Sequence, residues 1–442
     1  MTVIGRRTSG ILMAGVLLIS ACGASTPSST TPTDSAGASP GAGSSAVNGE
    51  PVTLTLWIFE GEEDILPVFK DGFEAANPNV TLEITLIPED LYSTKLDTAF
   101  AAGSPPDIAY MFERKWLQAG HFLALDDVLA TNSVDIANLS QGPLGACQFD
   151  GQIFCIGSYL GQVVLLYDKQ AFDEAGVAYP QPTEPMSVDE YAEVAAKLTK
   201  PNPDMALQVW GAEVAPSYWW MDPRNFYSED GRTIAGLIDD EATIASWDVL
   251  GKMAQDGVGL TAADQEAAAL ETTDLIATHQ LAMAIEDNLA FGELQAQGVD
   301  VGVAPVPVEQ GSDQVWVPTW MDSWGVTTQA AHPAEALALV AWIATEGGKV
   351  RADAGSPPLN VELARELDWA AGAPGRDTLV ELAAAARPGF FIPGFWGNLA
   401  STLEDSFARI VDGEDASSVL HEAAPILQED LDAEWVTWES IQ

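Results

Sequence analysis

From residue 52 onward the chain alternates short apolar runs with longer stretches of helical period, and this alternation limits it to layered α/β architectures. Residues 52–58, 80–87 and 107–111 read as strands. Between them, residues 62–76 and 91–102 place apolar side chains at helical spacing, the first stretch stopping at Asn77-Pro78 and the second at Gly103. Farther along, 163–167, 281–285 and 299–303 read as strands, and 187–200, 240–256, 333–345, 399–411 and 416–431 as helices. Strands alternating with helices of this length predict parallel βαβ units with right-handed crossovers. The alternations are too many for one small sheet, and a body of roughly 390 residues suggests two domains or more.

Before this body stands a different kind of segment. Arg6 and Arg7 precede an apolar run at 11–19, then Ser20 and Ala21, then Cys22. A basic start, an apolar run too short to span a bilayer as a mature helix and a small-residue cleavage site describe an export signal. A cysteine placed directly after it resembles the bacterial lipobox, although Ile19 stands where leucine is commoner. The alternative is an ordinary signal peptide with a chance cysteine at its end. The expectation is that residues 1–21 are removed, that Cys22 receives a diacylglycerol, and that the chain is held on the outer face of the bacterial cytoplasmic membrane. Residues 22–50 are almost entirely Gly, Ala, Ser, Thr and Pro, too polar and small to fold, and read as a disordered tether reaching roughly 30 Å. No later segment is long and apolar enough to cross a bilayer.

The formal charge is −47, and loss of Arg6 and Arg7 makes the mature chain more negative by two. Such a surface repels nucleic acid and anionic lipid heads and favours a soluble monomer. With Cys22 assigned to lipid, Cys147 and Cys155 flank a stretch whose Asp150-Gly151 is a hairpin turn signal. In an oxidising compartment two cysteines nearly opposite across a hairpin suggest a disulfide. A strict two-residue loop would set Cys147 opposite Phe154, so the bridge requires a bulge or longer loop, and two free thiols are the alternative. Metal-ligand spacing, a nucleophile elbow and a Walker A loop are all missing, and His121, His279, His332 and His421 are scattered. Neither a metal nor a cofactor is expected.

Several stretches, in order, carry a family resemblance. They are Leu54-Thr55-Leu56-Trp57; Phe73 to Pro78; Lys95-Leu96 to Ala102-Gly103 with Pro106-Asp107-Ile108; Phe149 to Phe154; and Leu166 to Phe172 with Ala175-Gly176. Leu281 to Ile285, Val301 to Pro307 and Pro333 to Ala336 follow. Over about residues 52 to 435 the chain resembles the family 1 extracellular solute-binding proteins, the group that includes maltose-binding protein. The resemblance implies two doubly wound α/β lobes joined by a multi-strand hinge, a periplasmic-binding-protein fold of type II, with ligand held between them. It assigns residues 51–157 and 320–360 to lobe one and 161–318 and 375–442 to lobe two. The hinge then falls near 157–161, 317–319 and 356–359. It also implies a small-molecule ligand, a sugar first of all, delivered to the permease of an ATP-binding cassette importer whose ATPase is a separate subunit.

Sugars are held by aromatic faces against their C–H surfaces and by carboxylates and amides on their hydroxyls. Fourteen tryptophans are present. Trp247, Trp342 and Trp369, on apolar helices, read as core. The residues expected to meet ligand stand at strand ends or in loops: Trp57 closing the first strand, then Glu60 and Glu62; Phe112 and Glu113 after the third strand; Tyr159 in the first hinge stretch; Trp219, Trp220 and Asp222 in a loop; Asp287 and Asn288; Trp320, Asp322 and Trp324 after the second hinge stretch; and Trp396, where maltose-binding relatives often place a stacking aromatic. Departures from the family are visible too. Many relatives follow Ile285 with Gly-x-Trp, whereas acids and an amide, Glu286-Asp287-Asn288, stand here. Gly161 replaces a glutamate of maltose-binding protein, and Asp168 replaces a common asparagine. A binder of a polyamine, held by Trp219, Trp220 and Asp222, or of another small solute such as a metal complex is one alternative, and a secreted glycoside hydrolase another.

Overall fold

A computed structural model describes residues 50–60, 66–215, 225–309, 311–312, 314–384, 392–394 and 398–440. Its strands are β1 (Val52–Phe59), β2 (Val80–Ile87), β3 (Ile108–Tyr110), β4 (Gln148–Phe149), β5 (Gln152–Ile153), β6 (Gly161–Asp168), β7 (Ala212–Glu213), β8 (Gly259–Leu260), β9 (Met283–Asp287), β10 (Val301–Ala304), β11 (Thr319–Trp320) and β12 (Trp324–Val326).

The first sheet has the order β12-β3-β1-β2. Strands β1, β2 and β3 run parallel, as the alternation predicts, and β12 lies antiparallel along β3. Successive side chains of β1 point to opposite faces, and Leu54, Leu56 and Ile58 are buried together in a core with Phe69, Phe73 and Trp324. Helix α1 (Leu66–Ala76) supplies Phe69 and Phe73, which meet the ring of Trp342 edge-on at 5.8 and 6.0 Å. Helix α2 (Glu89–Ala102) ends at Gly103 in the left-handed region, its N–H turned to the carbonyls of Ala99 and Phe100. Asp107 does not open the third strand. It is buried at a junction where it accepts hydrogen bonds from Thr55 N (2.9 Å), Thr55 Oγ1 (2.8 Å) and Ala331 N (2.7 Å).

The second sheet corrects the expectation of parallel pairing throughout. Strands β9, β10 and β11 all pair with β6 in the antiparallel sense. Apolar periodicity marks a strand without marking its direction, so the parallel reading had no signal to stop it. Leu165 and Tyr167 face one apolar cluster, with Trp247, Leu250 and Phe407. Val164 and Leu166 face another, with Phe291, Leu294 and Trp369. Trp247 and Trp369 are core, as expected.

Strands β4 and β5 form the hairpin, with Gln148 opposite Ile153 and Phe149 opposite Gln152. Asp150 and Gly151 both have positive φ, 49° and 77°, the backbone of a two-residue turn. Phe154 N donates to Cys147 O, so the tight register holds, and Cys147 is nevertheless bridged to Cys155 across a Cα separation of 5.1 Å. No bulge is needed, because Cys147 belongs to a single turn of 3-10 helix (Gly145–Cys147) and both cysteines lie beyond the ladder. Among the described residues no helix is long and apolar enough to cross a membrane.

Candidate functional site

Strands β2 and β3 flank β1 on opposite sides, which makes the carboxyl ends of β1 and β3 a topological switch point, the place where open α/β sheets take ligands. Aromatic rings gather there. Phe59, the last residue of β1, lies 4.8 Å from Tyr110 and 6.0 Å from Phe112 by ring centroids, and Phe112 lies 5.7 Å from Tyr92 and 5.5 Å from Trp116. Tyr92 and Trp116 are fully buried, whereas Phe112 is 46% exposed. The cluster is fixed from below by the Tyr92 hydroxyl, which donates to the carbonyls of Trp57 (3.1 Å) and Tyr110 (3.0 Å). An anchored aromatic stack with one open ring offers a flat apolar face of the kind that packs on C–H surfaces.

The neighbouring expectations divide. Trp57 does not close β1, which continues to Phe59; its ring lies beneath the ammonium of Lys95 at 4.9 Å and packs on the first core. Glu60 is exposed just past the strand. Glu113 pairs with Lys115 at 2.6 Å, and Lys115 also pairs with Asp97 at 2.9 Å.

A second group of side chains collects at the ends of β7 and β9. Glu213, which sequence reasoning missed, accepts a hydrogen bond from Ile285 N (3.2 Å), beside Glu286 and Asp287. Burial and the Glu286 charge push the Glu213 carboxyl up; burial and the Asp287 charge do the same to Glu286. Asp287 caps the helix Asn288–Ala296, accepting from Leu289 N and Ala290 N at 2.9 Å each. A site of this character disfavours three charged carboxylates at once and accommodates either shared protons or a ligand with several donors.

Between the two groups run segments 157–163 and 318–323. Met111 N donates to Ser323 O (2.7 Å) at the first group, and Asp287 lies opposite Val163 at the second. Trp320 sits midway, half-buried, with its Nε1 donating to the Tyr159 hydroxyl at 3.3 Å.

Four residues expected to face ligand are instead buried within or beside these segments. Asp322 is 0% exposed and accepts from Ser158 N (2.6 Å), Ser158 Oγ (2.5 Å) and Trp324 Nε1 (3.0 Å), with Arg351 at 3.7 Å. Trp324 is wholly buried in the first core, and Tyr159 is 2% exposed beneath the Arg351 guanidinium at 4.4 Å. Asn288 is 0% exposed and spends its amide on Gln162 N and Leu160 O. Their polar atoms satisfy buried backbone and one another, which a ligand contact would undo. Glu62, Trp219, Trp220, Asp222, Trp396 and Cys22 lie outside the described residues. Among the described residues no group of three His, Cys, Asp or Glu is arranged to hold a metal ion.

Comparison with known proteins places this architecture. The family model for bacterial extracellular solute-binding proteins matches residues 60–350. The chain belongs to that family. Solved structures agree on the fold of this solute-binding protein. An ABC substrate-binding protein from Listeria monocytogenes, in complex with cycloalternan, superposes with a TM-score of 0.73 at 19% identity, covering 87% of this chain and 100% of that one. The GacH receptor of Streptomyces glaucescens, solved unliganded and with acarbose, gives a TM-score of 0.66 at 18% identity, covering 86% and 100%. The fold is therefore that of the type II periplasmic-binding proteins, mixed α/β with a largely parallel first sheet and a second sheet whose strands pair antiparallel on β6. A provisionally named binding protein of Brucella abortus (strain 2308) is 29% identical over 133 residues. That match covers 29% of this chain and 31% of the relative, so the chain spans about a third of the length of the curated relatives it matches.

Proposed function

We propose that this solute-binding protein captures a carbohydrate between its two lobes and delivers it to the permease of an ATP-binding cassette importer, acting as a tethered binder and not as a hydrolase. The observation that carries the reading is the aromatic stack at the switch point, with Phe112 open above Phe59, Tyr92 and Trp116. Cycloalternan and acarbose in the related structures support a saccharide. The lobes in this reading comprise residues 51–157 with 320–360 and 161–318 with 375–442, and their hinge strands lie near 157–161, 317–319 and 356–359. A diacylglycerol on Cys22 and the 22–50 tether hold the monomer at the outer face of the cytoplasmic membrane, where the permease stands.

The three half-buried carboxyls Glu213, Glu286 and Asp287 favour one competing class, a polyamine, whose ammonium groups they would neutralise. A thermal-shift panel on the mature chain separates the two. A ligand at a hundredfold excess over its Kd stabilises by about 2.7 kcal/mol. Maltotriose, mannotriose and cyclic tetrasaccharides are expected to raise the melting temperature. A shift with spermidine or putrescine, and with no sugar, replaces the carbohydrate reading by the amine one.

A further inference from the structure

The hinge stretch near 157–161 is held from both directions, by one buried polar side chain on each side. Upstream, Asp322 takes the backbone N–H of Ser158 (2.6 Å) and of Tyr159 (3.3 Å). Its second oxygen is fixed by Ser158 Oγ and Trp324 Nε1, and Arg351 lies against it, so the carboxylate belongs to the body that contains β12. Downstream, Asn288 brackets Gly161: its Nδ2 donates to Leu160 O (3.0 Å) and its Oδ1 accepts from Gln162 N (2.8 Å). Asn288 opens the helix that follows β9, so it belongs to the body built on β6. The last atom held by Asp322 is Tyr159 N, and the first held by Asn288 is Leu160 O.

We infer that Asp322 and Asn288 are the two grips of the hinge, and that lobe motion is carried by the torsions of Tyr159 and Leu160, which lie between them; the inference rests on the two-lobe reading above. Both grips are wholly buried. A buried backbone group that loses its partner is penalised by its full desolvation, so each grip stays closed while softer torsions turn. Leu160 N donates to Pro357 O (2.9 Å) and Leu359 N to Ser158 O (3.2 Å), which keeps the hinge stretch near 356–359 alongside as the ribbon bends. Rotation about the backbone bonds of two residues suffices for hinge closure. Asp322 and Asn288 are thus positioning residues, without contact to ligand.

The test measures the distance distribution between spin labels at Glu83→Cys and Asp204→Cys, both exposed and one on each body, by pulsed electron resonance on the unliganded mature chain carrying Cys22→Ser. Asn288→Ala and Asp322→Asn are each expected to widen the distribution about twofold. Asp168→Asn, another buried carboxylate variant at the far end of β6 from the hinge stretches, is expected to leave it unchanged. Should Asp322→Asn fail to fold, Ser158→Ala removes one of its hydrogen bonds and is expected to widen the distribution in the same direction. Unchanged widths in both grip variants, or equal widening in the Asp168 control, overturn the inference. No ligand enters the measurement, so a failure of sugar binding leaves the grips testable, and sugar binding with unchanged widths overturns the grips alone.

Discussion

The indole ring of Trp320 lies against the backbone of Gly161, so close that a methyl group placed on that glycine would come within 2.2 Å of the ring. The glutamate that maltose-binding protein carries at this position has no room here, and the glycine is a requirement of the tryptophan. Gly161→Ala is expected to cost about 1 to 3 kcal/mol, the usual penalty for overpacking. The double variant Gly161→Ala/Trp320→Ala should recover part of that loss, because the two residues are in contact and their effects do not add. Urea denaturation of the four proteins of the cycle checks this, and strict additivity would mean that the ring moves aside freely.

Phe112 and Trp116 are neighbours in one aromatic stack with opposite burial, and they should fail in opposite ways. Phe112→Ala is expected to weaken binding of a stabilising sugar by roughly 2 kcal/mol, the size found for stacking hot spots, with little change in melting temperature. Trp116→Ala should cost about 3 to 5 kcal/mol of stability as a core cavity. Calorimetric titration beside thermal melts reads both, and intact affinity in Phe112→Ala would move the site away from the switch point.

The carboxyl pair Glu213 and Glu286 links stability to acidity. Burial raises both groups above their ordinary value of 4.5, aided at Glu213 by the Glu286 charge and at Glu286 by the Asp287 charge, so the fold favours the protonated forms. Their contribution is complete below that value and is lost as pH rises through neutrality. Glu213→Gln mimics the protonated acid and should flatten the decline of stability between about pH 5 and about pH 8, by no more than one bound proton or roughly 1.4 kcal/mol per pH unit. Parallel slopes for wild type and variant would show that the rest of the acidic surface sets the dependence.

Reduction of the Cys147–Cys155 bridge should lower stability by about 2 to 3 kcal/mol at most, since it closes a short loop. Both sulfurs are buried, and the reduced thiols remain small apolar fillers. Melting of the Cys22→Ser chain with and without reductant is expected to show one cooperative transition displaced downward. Two reactive thiols per chain in denatured, unreduced protein would remove the bridge altogether.

Much of the fold was legible because β1, β2 and the helices Val188–Leu198 and Glu241–Gln255 carry strong periodicity and explicit caps, Ser187 with Glu190 and Asp240. The site was less so. Glu213 ends a strand of two residues, too short to show any period. Asp322 and Asn288 follow apolar segments as ligand-facing residues do, and their actual partners, Ser158 and Gln162, stand 164 and 126 positions away. Polar residues at strand ends look alike in sequence whether they face solvent, ligand or buried backbone, and only tertiary placement separates them.

The strand β12 carries one more consequence. It completes the first sheet along β3, and its Trp324 and Val326 are fully buried in the core that begins at Leu54. That core remains open to water until more than two hundred further residues have been made. A chain emerging from its amino terminus through a narrow exit cannot close its earliest unit first, because long-range pairing waits for the later segment to arrive. Such a topology keeps the chain unfolded late, the condition under which a polypeptide can be threaded across a membrane before it folds on the far side.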